Sequence, residues 1–161
     1  NGLYLALREP SLRAAKVLIH WPQTDLNLAN EVGETPLMMA VLKGHVELVT
    51  AMLAKEADVN KPGWTALHYA ATAGNTQLIA MLLEKHAYID AESPNGSTPL
   101  MMAALYGSSA AVKLLLDEGA DPLPKNQIGL TAIDFAQKSD RKDVVEMIAA
   151  VVRAEQPKGK W

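Results

Sequence analysis

The chain has 161 residues, of which 49% are hydrophobic, and 15 basic against 18 acidic side chains give a net charge of −3. This length suits one folded domain, and the near balance of charge disfavours a general nucleic-acid-binding surface. The absence of cysteine excludes disulfides, thiolate zinc sites and cysteine catalysis. No apolar run approaches the roughly 18–20 residues that a membrane-spanning helix needs.

One short motif returns along the chain at nearly constant spacing. A leucine or isoleucine followed three residues later by alanine occurs at Leu3, Leu37, Leu67, Leu100 and Ile133, in steps of 34, 30, 33 and 33 residues. In the last four copies a threonine stands two positions earlier, at Thr35, Thr65, Thr98 and Thr131. A fixed period near 33 residues predicts a stacked array of similar units.

Each unit predicts two short helices. The threonine can cap the free amides at the start of the first helix, and the proline that follows it in two units suits the first helical position. Gly44, Gly74 and Gly107 then interrupt the chain. A second apolar block with helical spacing follows, at residues 14–19, 48–53, 78–83, 111–116 and 144–148. One unit cannot bury such a face alone, so we expect the units to stack into an elongated solenoid.

These motifs resemble the ankyrin repeat, whose signature is Thr-Pro-Leu-His with alanine three residues after the leucine. The resemblance covers nearly the whole chain. It implies an all-α solenoid of about five helix-turn-helix repeats with short β-hairpin fingers. The repeats are expected at about 1–31, 32–61, 62–94, 95–127 and 128–153, followed by a C-terminal tail at 154–161.

The finger between the second and third units is shortened. The step of 30 residues leaves three positions missing around Lys61-Pro62-Gly63, directly before Trp64. One interpretation is a neutral deletion, which exposed loops tolerate. The other is a notch in the row of fingers that exposes Trp64 to a partner.

The sequence offers little for catalysis or metal binding. Of the four histidines, His68 occupies the signature position, where the resemblance implies a bond to backbone near a neighbouring finger, and no two have the i, i+4 spacing of a helical zinc pair. No phosphate-binding loop and no convergent nucleophile and base are present. We therefore expect no catalytic residues, no cofactor and no metal. The pairs Met38-Met39 and Met101-Met102 are expected in the core, with a soft binding surface as the alternative.

The resemblance implies a partner in the concave face, which finger tips and the solvent side of the first helices form. Apolar or aromatic residues stand there at positions that the repeat leaves free: Val32, Leu42, Trp64, Leu105, Tyr106, Ile128 and Leu130. Such a patch across successive units suggests an interface, and Trp and Tyr often anchor interfaces. We expect a groove centred on Trp64, Leu105 and Tyr106. The alternative is that some of these side chains cover neighbouring fingers.

The predicted function is a non-enzymatic module that binds a partner protein or peptide in this face. One alternative is a targeting arm of a larger enzyme or toxin whose catalytic part lies upstream. Another is an assembly module that stacks through the first repeat, because residues 14–19 have the apolar character of an interior repeat. A monomer without nucleic-acid binding is expected under the leading prediction.

Two segments, residues 43–47 and 114–121, are similar to segments of bacterial ankyrin proteins, many of which are exported to the periplasm. The resemblance therefore implies the cytoplasm or the bacterial periplasm as the compartment and favours the periplasm.

Overall fold

The computed structural model describes residues 2–8 and 11–155, and within these ranges it contains ten helices and no strand. This confirms the all-α prediction. The helices are α1 Gly2–Arg8, α2 Leu12–His20, α3 Pro36–Leu42, α4 Val46–Ala54, α5 Ala66–Ala73, α6 Thr76–Glu84, α7 Pro99–Leu105, α8 Ser109–Asp117, α9 Ala132–Lys138 and α10 Lys142–Glu155.

The first helix of each of the last four units begins at the predicted threonine. The Thr65 side chain accepts a hydrogen bond from the His68 amide, and the Thr65 amide donates to the His68 Nδ1 over 3.1 Å. This reciprocal arrangement satisfies two amides that the helix itself leaves unpaired. The third helical residue varies between units, so that a Met38 or Met101 sulfur, or an Asp134 carboxylate, takes the place of the imidazole.

The glycines between the paired helices serve two different needs. Gly44 and Gly74 have φ values of +69° and +67°, in the left-handed region that glycine enters without steric cost. Gly107 has no positive φ. A Cβ at Gly107 would lie 2.3 Å from the Ala71 carbonyl oxygen and 2.8 Å from the Ala103 Cα. Gly107 is therefore required by the close approach of α5 and α7.

The helices stack in two rows, with the first helix of each unit (α1, α3, α5, α7 and α9) in one row and the second helices in the other. Leu48, Leu78 and Val144 occupy the same position in their second helices, and all three are buried. The equivalent Ala14 in α2 is exposed, because α1 and α2 are covered on one side only. The core is one continuous strip along the array, as expected of a solenoid.

The fingers are tight turns in place of the hairpins with strand ladders that the resemblance implies. In three of them one backbone hydrogen bond joins the two ends of the turn, residues four apart: Asn30 N to Glu34 O at 2.9 Å, Ser93 N to Ser97 O at 2.9 Å, and Asn126 N to Leu130 O at 3.0 Å. One such bond is too short a ladder to form a strand. In the shortened finger at 61–63, all of which the structure describes, no backbone hydrogen bond joins the equivalent residues Asn60 and Trp64, and the Asn60 amide donates instead to the Asp58 carboxylate at 2.8 Å.

Each predicted repeat contains one helix pair. The last helix, α10, continues to Glu155, two residues past the predicted end of the array. The rest of the predicted tail, residues 156–161, lies outside the described residues. Both methionine pairs are buried, Met38 and Met101 nearly completely, which supports the expectation that they belong to the core.

Candidate partner-binding face

The finger turns and the row of first helices together form one side of the solenoid, here termed the first-helix face. It corresponds to the concave face of the sequence-based prediction. Because α3, α5, α7 and α9 all begin at a threonine beside a finger, their N-terminal ends lie at the finger side and their C-terminal ends lie away from it. Residues of this face therefore belong either to the finger side or to the helix-end side.

Five of the seven predicted partner-binding residues are well exposed. Their side chains have exposed fractions of 78% for Val32, 74% for Ile128, 67% for Tyr106, 46% for Leu42 and 37% for Trp64. These values are high for large apolar side chains, which a folded domain tends to bury. Leu105 and Leu130 are partly buried and pack against the core.

The seven residues do not form a single cluster. Val32, Trp64, Ile128 and Leu130 lie on the finger side, whereas Leu42, Leu105 and Tyr106 lie at the C-terminal ends of α3 and α7. A helix of seven residues is about 10 Å long at 1.5 Å per residue. The face therefore offers two parallel apolar borders about one helix length apart.

Trp64 packs partly against its own unit. The Trp64 and His68 ring centroids are 5.2 Å apart with an interplanar angle of 78°, an edge-to-face arrangement. The indole therefore covers the buried imidazole while leaving more than a third of its own surface exposed. Trp64 contributes to packing as well as to the exposed border.

The His68 imidazole links two units, as the resemblance implies. Its Nδ1 accepts the Thr65 amide proton, so the single proton of the neutral ring lies on Nε2 and is donated to the Ser97 carbonyl oxygen at 2.8 Å. Burial lowers the His68 pKa, and the hydrogen bond to Ser97 offsets part of that effect. The ring is therefore held neutral.

A polar cluster that the sequence analysis did not identify lies on the finger side of the first-helix face. The Tyr4 hydroxyl and the Asn30 side-chain amide each donate to Glu34 Oε2 at 2.9 Å, and the Tyr69 hydroxyl donates to Glu34 Oε1 at 3.1 Å. We term Tyr4, Asn30, Glu34 and Tyr69 the Glu34 cluster. It joins α1, the first finger and α5 across three units.

The charge of Glu34 governs the titration of its neighbours. The hydrogen bond from Asn30 lowers the Glu34 pKa most strongly, with burial opposing it and the two tyrosine hydroxyls adding to it. Burial and the nearby Glu34 carboxylate raise the Tyr69 pKa to about 12. The carboxylate is therefore ionised and both tyrosines remain protonated donors at neutral pH.

The repeat register contained a signal for this cluster. Tyr4 occupies the position of His68, and Glu34 occupies the position of Ser97, directly before a helix-capping threonine. The contact between Tyr4 and Glu34 thus matches the contact between His68 and Ser97 two repeats further along the array. An alignment of the contacts between repeats, in addition to their residues, would have predicted the contact between Tyr4 and Glu34.

Within the described ranges, no three histidine, aspartate or glutamate side chains converge on a position that could hold a metal ion. None of the helices that the structure describes combines the length and apolar character needed to cross a bilayer.

The stacked helix pairs, capped first helices and exposed first-helix face define a helical-repeat solenoid. The sequence matches the family described as "Ankyrin repeats (3 copies)" over residues 3–93 and again over residues 74–156. The chain belongs to the ankyrin-repeat family, whose members are generally non-catalytic interaction modules.

Relatives with similar sequences are large animal proteins. The chain is 33% identical to mouse (Mus musculus) Ankyrin repeat and SAM domain-containing protein 6 over 151 residues, which are 92% of the chain and 14% of that protein. It is 32% identical to human (Homo sapiens) Transient receptor potential cation channel subfamily A member 1 over 128 residues, 76% of the chain and 11% of that protein. It is 34% identical to mouse Nuclear factor NF-kappa-B p105 subunit over 148 residues, 88% of the chain and 15% of that protein.

The chain therefore spans about a seventh or less of the length of these relatives. The expected resemblance to bacterial, exported proteins is not borne out, since these relatives come from mouse and human.

Proposed function

We propose that the chain is a non-enzymatic module that binds a partner protein or peptide on its first-helix face. The observation that carries the proposal is the exposure of Tyr106. Tyr106 is the C-cap residue of α7, and its side chain has an exposed fraction of 67% at a position where the fold requires only a polar or small residue. Alanine or serine occupies the equivalent position in two other units, Ala73 and Ser139.

The two apolar borders give the proposed site its shape. Val32, Trp64 and Ile128 would contact the partner on the finger side, with Leu130 supporting them from below. Tyr106 and Leu42 would contact it at the helix ends, with Leu105 beneath. Aromatic side chains at the rim of an exposed apolar patch are typical of protein interfaces.

The proposal can be tested with a photo-crosslinking amino acid placed at Tyr106. Tyr88 is the matched control, because it is a tyrosine with the same exposed fraction of 67% in the turn after the second helix α6. A partner that binds the first-helix face should crosslink at position 106 and not at position 88. Equal crosslinking at both positions, or crosslinking at position 88 alone, would contradict the proposal.

An assembly role is a second candidate, favoured by one observation. Val17 and Trp21 of the first unit are exposed, as is Ala14, whose equivalents in later units are buried. A second copy of the chain could cover this face in the way one repeat covers the next. The molecular mass in solution would double if so, and Val17→Lys would restore the monomer.

A further inference from the structure

The Glu34 cluster carries a negative charge that a structural link between two units does not need. The equivalent link between His68 and Ser97 joins two units through neutral groups alone. In the Glu34 cluster the same link is made through a carboxylate, whose pKa is lowered chiefly by the hydrogen bond from Asn30. Stacking the units therefore explains the hydrogen bonds but does not require the negative charge.

That charge has no cationic partner among the described residues. Every donor to Glu34 is neutral, and no lysine, arginine or histidine nitrogen of residues 2–8 and 11–155 forms an ion pair with it. Arg8 is exposed and acts electrostatically on the Tyr4 hydroxyl, but it does not pair with the carboxylate. Glu34, Tyr4 and Tyr69 are all partly exposed, so a ligand can reach the cluster from solvent.

The geometry of the donors limits which cation fits. A carboxylate has about four acceptor sites on its two oxygens. Glu34 Oε2 accepts from both Tyr4 and Asn30, whereas Oε1 accepts from Tyr69 alone. One acceptor site therefore remains, on Oε1. A guanidinium that binds through two parallel N–H bonds would displace a donor, whereas an ammonium needs only one acceptor.

The surroundings also favour a cation. The two tyrosines place aromatic rings on either side of the carboxylate along the array. Aromatic rings attract a cation that lies over their faces.

We infer that Glu34, held between Tyr4 and Tyr69, receives the ammonium group of a lysine side chain of the partner. The inference rests on the proposed function, because it places one partner residue within the first-helix face. The partner segment would present a lysine toward the finger side and apolar side chains toward the two borders.

The test uses the chain itself and an acetylated, amidated hexalysine peptide as the probe, at about 25 mM salt to limit screening. Amide chemical shifts of the isotopically labelled chain are followed by NMR during titration. Two further probes serve as controls: the same peptide with acetylated side chains, and hexa-arginine. Glu31→Gln is the matched variant for Glu34→Gln, because Glu31 is an exposed carboxylate in the same finger and its loss changes the net charge equally.

We expect the shifts to be largest around Tyr4, Glu34 and Tyr69, and to vanish with the acetylated peptide. Glu34→Gln should weaken hexalysine binding by about fivefold, the upper end for one partly exposed ion pair. Glu31→Gln should weaken it by less than about twofold. Hexa-arginine should bind no more tightly than hexalysine.

Equal losses from the two glutamine variants would overturn the inference, since they would show general electrostatic attraction. Shifts in the wild-type chain that avoid the Glu34 cluster would overturn it even if Glu34→Gln failed to fold. Tighter binding of hexa-arginine would overturn the choice of an ammonium. If a partner crosslinks at position 106 but binds Glu34→Gln as tightly as the wild type, the proposed function is supported and the lysine site is contradicted.

Discussion

His68 Nε2 lies 2.8 Å from the Ser97 carbonyl oxygen of the next unit and donates its proton to it. The same ring accepts the Thr65 amide proton through Nδ1. One neutral imidazole thus closes the start of α5 and ties it to the following finger. Protonation of Nδ1 would remove the acceptor for the Thr65 amide, so this link depends on the charge state of the ring.

The stability of the array should fall as pH decreases from neutral, and His68 should cause part of that fall. Burial lowers the His68 pKa below its ordinary value of about 6.5, so the unfolded chain binds a proton first. The stabilisation is complete above about pH 6.5 and is lost as pH falls from there toward the folded-state pKa. Urea unfolding at a series of pH values measures this dependence.

The matched variant for this prediction is His68→Met. Methionine occupies the same position in two other units, where the Met38 and Met101 sulfurs accept the capping-threonine amide at 3.4 Å. It cannot titrate, so the pH dependence below about pH 6.5 should flatten. His20→Met, at an exposed histidine, is the matched control. An unchanged slope in His68→Met would show that the imidazole is not the titrating group.

Truncation of a central core residue should be costly. Leu115 of α8 is fully buried between neighbouring units. Leu115→Ala should lower the free energy of unfolding by roughly 2–5 kcal/mol, the usual cost of a large cavity. Denaturant unfolding measures the change. Leu123→Ala, at an exposed leucine, should change it by less than about 0.5 kcal/mol. Similar losses for both leucines would mean that the unit register is wrong.

Gly107→Ala should destabilise the array although its backbone angles suit any residue. The new Cβ would meet the Ala71 carbonyl oxygen at 2.3 Å, so α5 and α7 would have to separate. Overpacking of this kind costs about 1–3 kcal/mol or more. The midpoint of thermal unfolding should drop. Gly44→Asn is the contrasting variant, because nothing lies within 4 Å of a Cβ there and asparagine tolerates a positive φ. A larger loss for Gly44→Asn would contradict the close-approach argument.

The sequence was sufficient to predict the helices because their determinants are local. A threonine cap, a proline at the first helical position and an apolar block at helical spacing each act within one unit, and α3 and α7 begin where those signals stand. The core positions followed from the same register. Residues that stack between units, such as Leu115, were therefore predictable.

Features that depend on contacts between units were less accessible. The Glu34 cluster needs three units in register before Tyr4 and Tyr69 meet one carboxylate. The division of the apolar residues into two borders depends on the direction of the first helices. The partial cover of His68 by Trp64 depends on the path of the shortened finger. None of these is set by the composition of a single repeat.

The final prediction separates binding from packing on the first-helix face. Tyr106→Ala should weaken partner binding by about 1–2 kcal/mol or more, as truncation of an interface anchor does. Its stability should change little, because the Tyr106 side chain is 67% exposed at the end of α7. Calorimetric titration with the partner that crosslinks at position 106 and thermal unfolding measure the two effects, with Tyr88→Ala as the control for both.

Trp64→Ala should weaken binding by a similar amount but should also lower stability, because the indole packs edge-to-face on the buried His68 ring at 5.2 Å. Such a pair contributes about 0.5–1.5 kcal/mol beyond the buried area. The loss should remain smaller than that of Leu115→Ala, since more than a third of the Trp64 surface is already exposed. If the Trp64→Ala variant were unfolded at ambient temperature, Trp64 would be a core residue. Unchanged affinity of both Tyr106→Ala and Trp64→Ala would place the partner on another face of the solenoid, since the two side chains represent the two apolar borders.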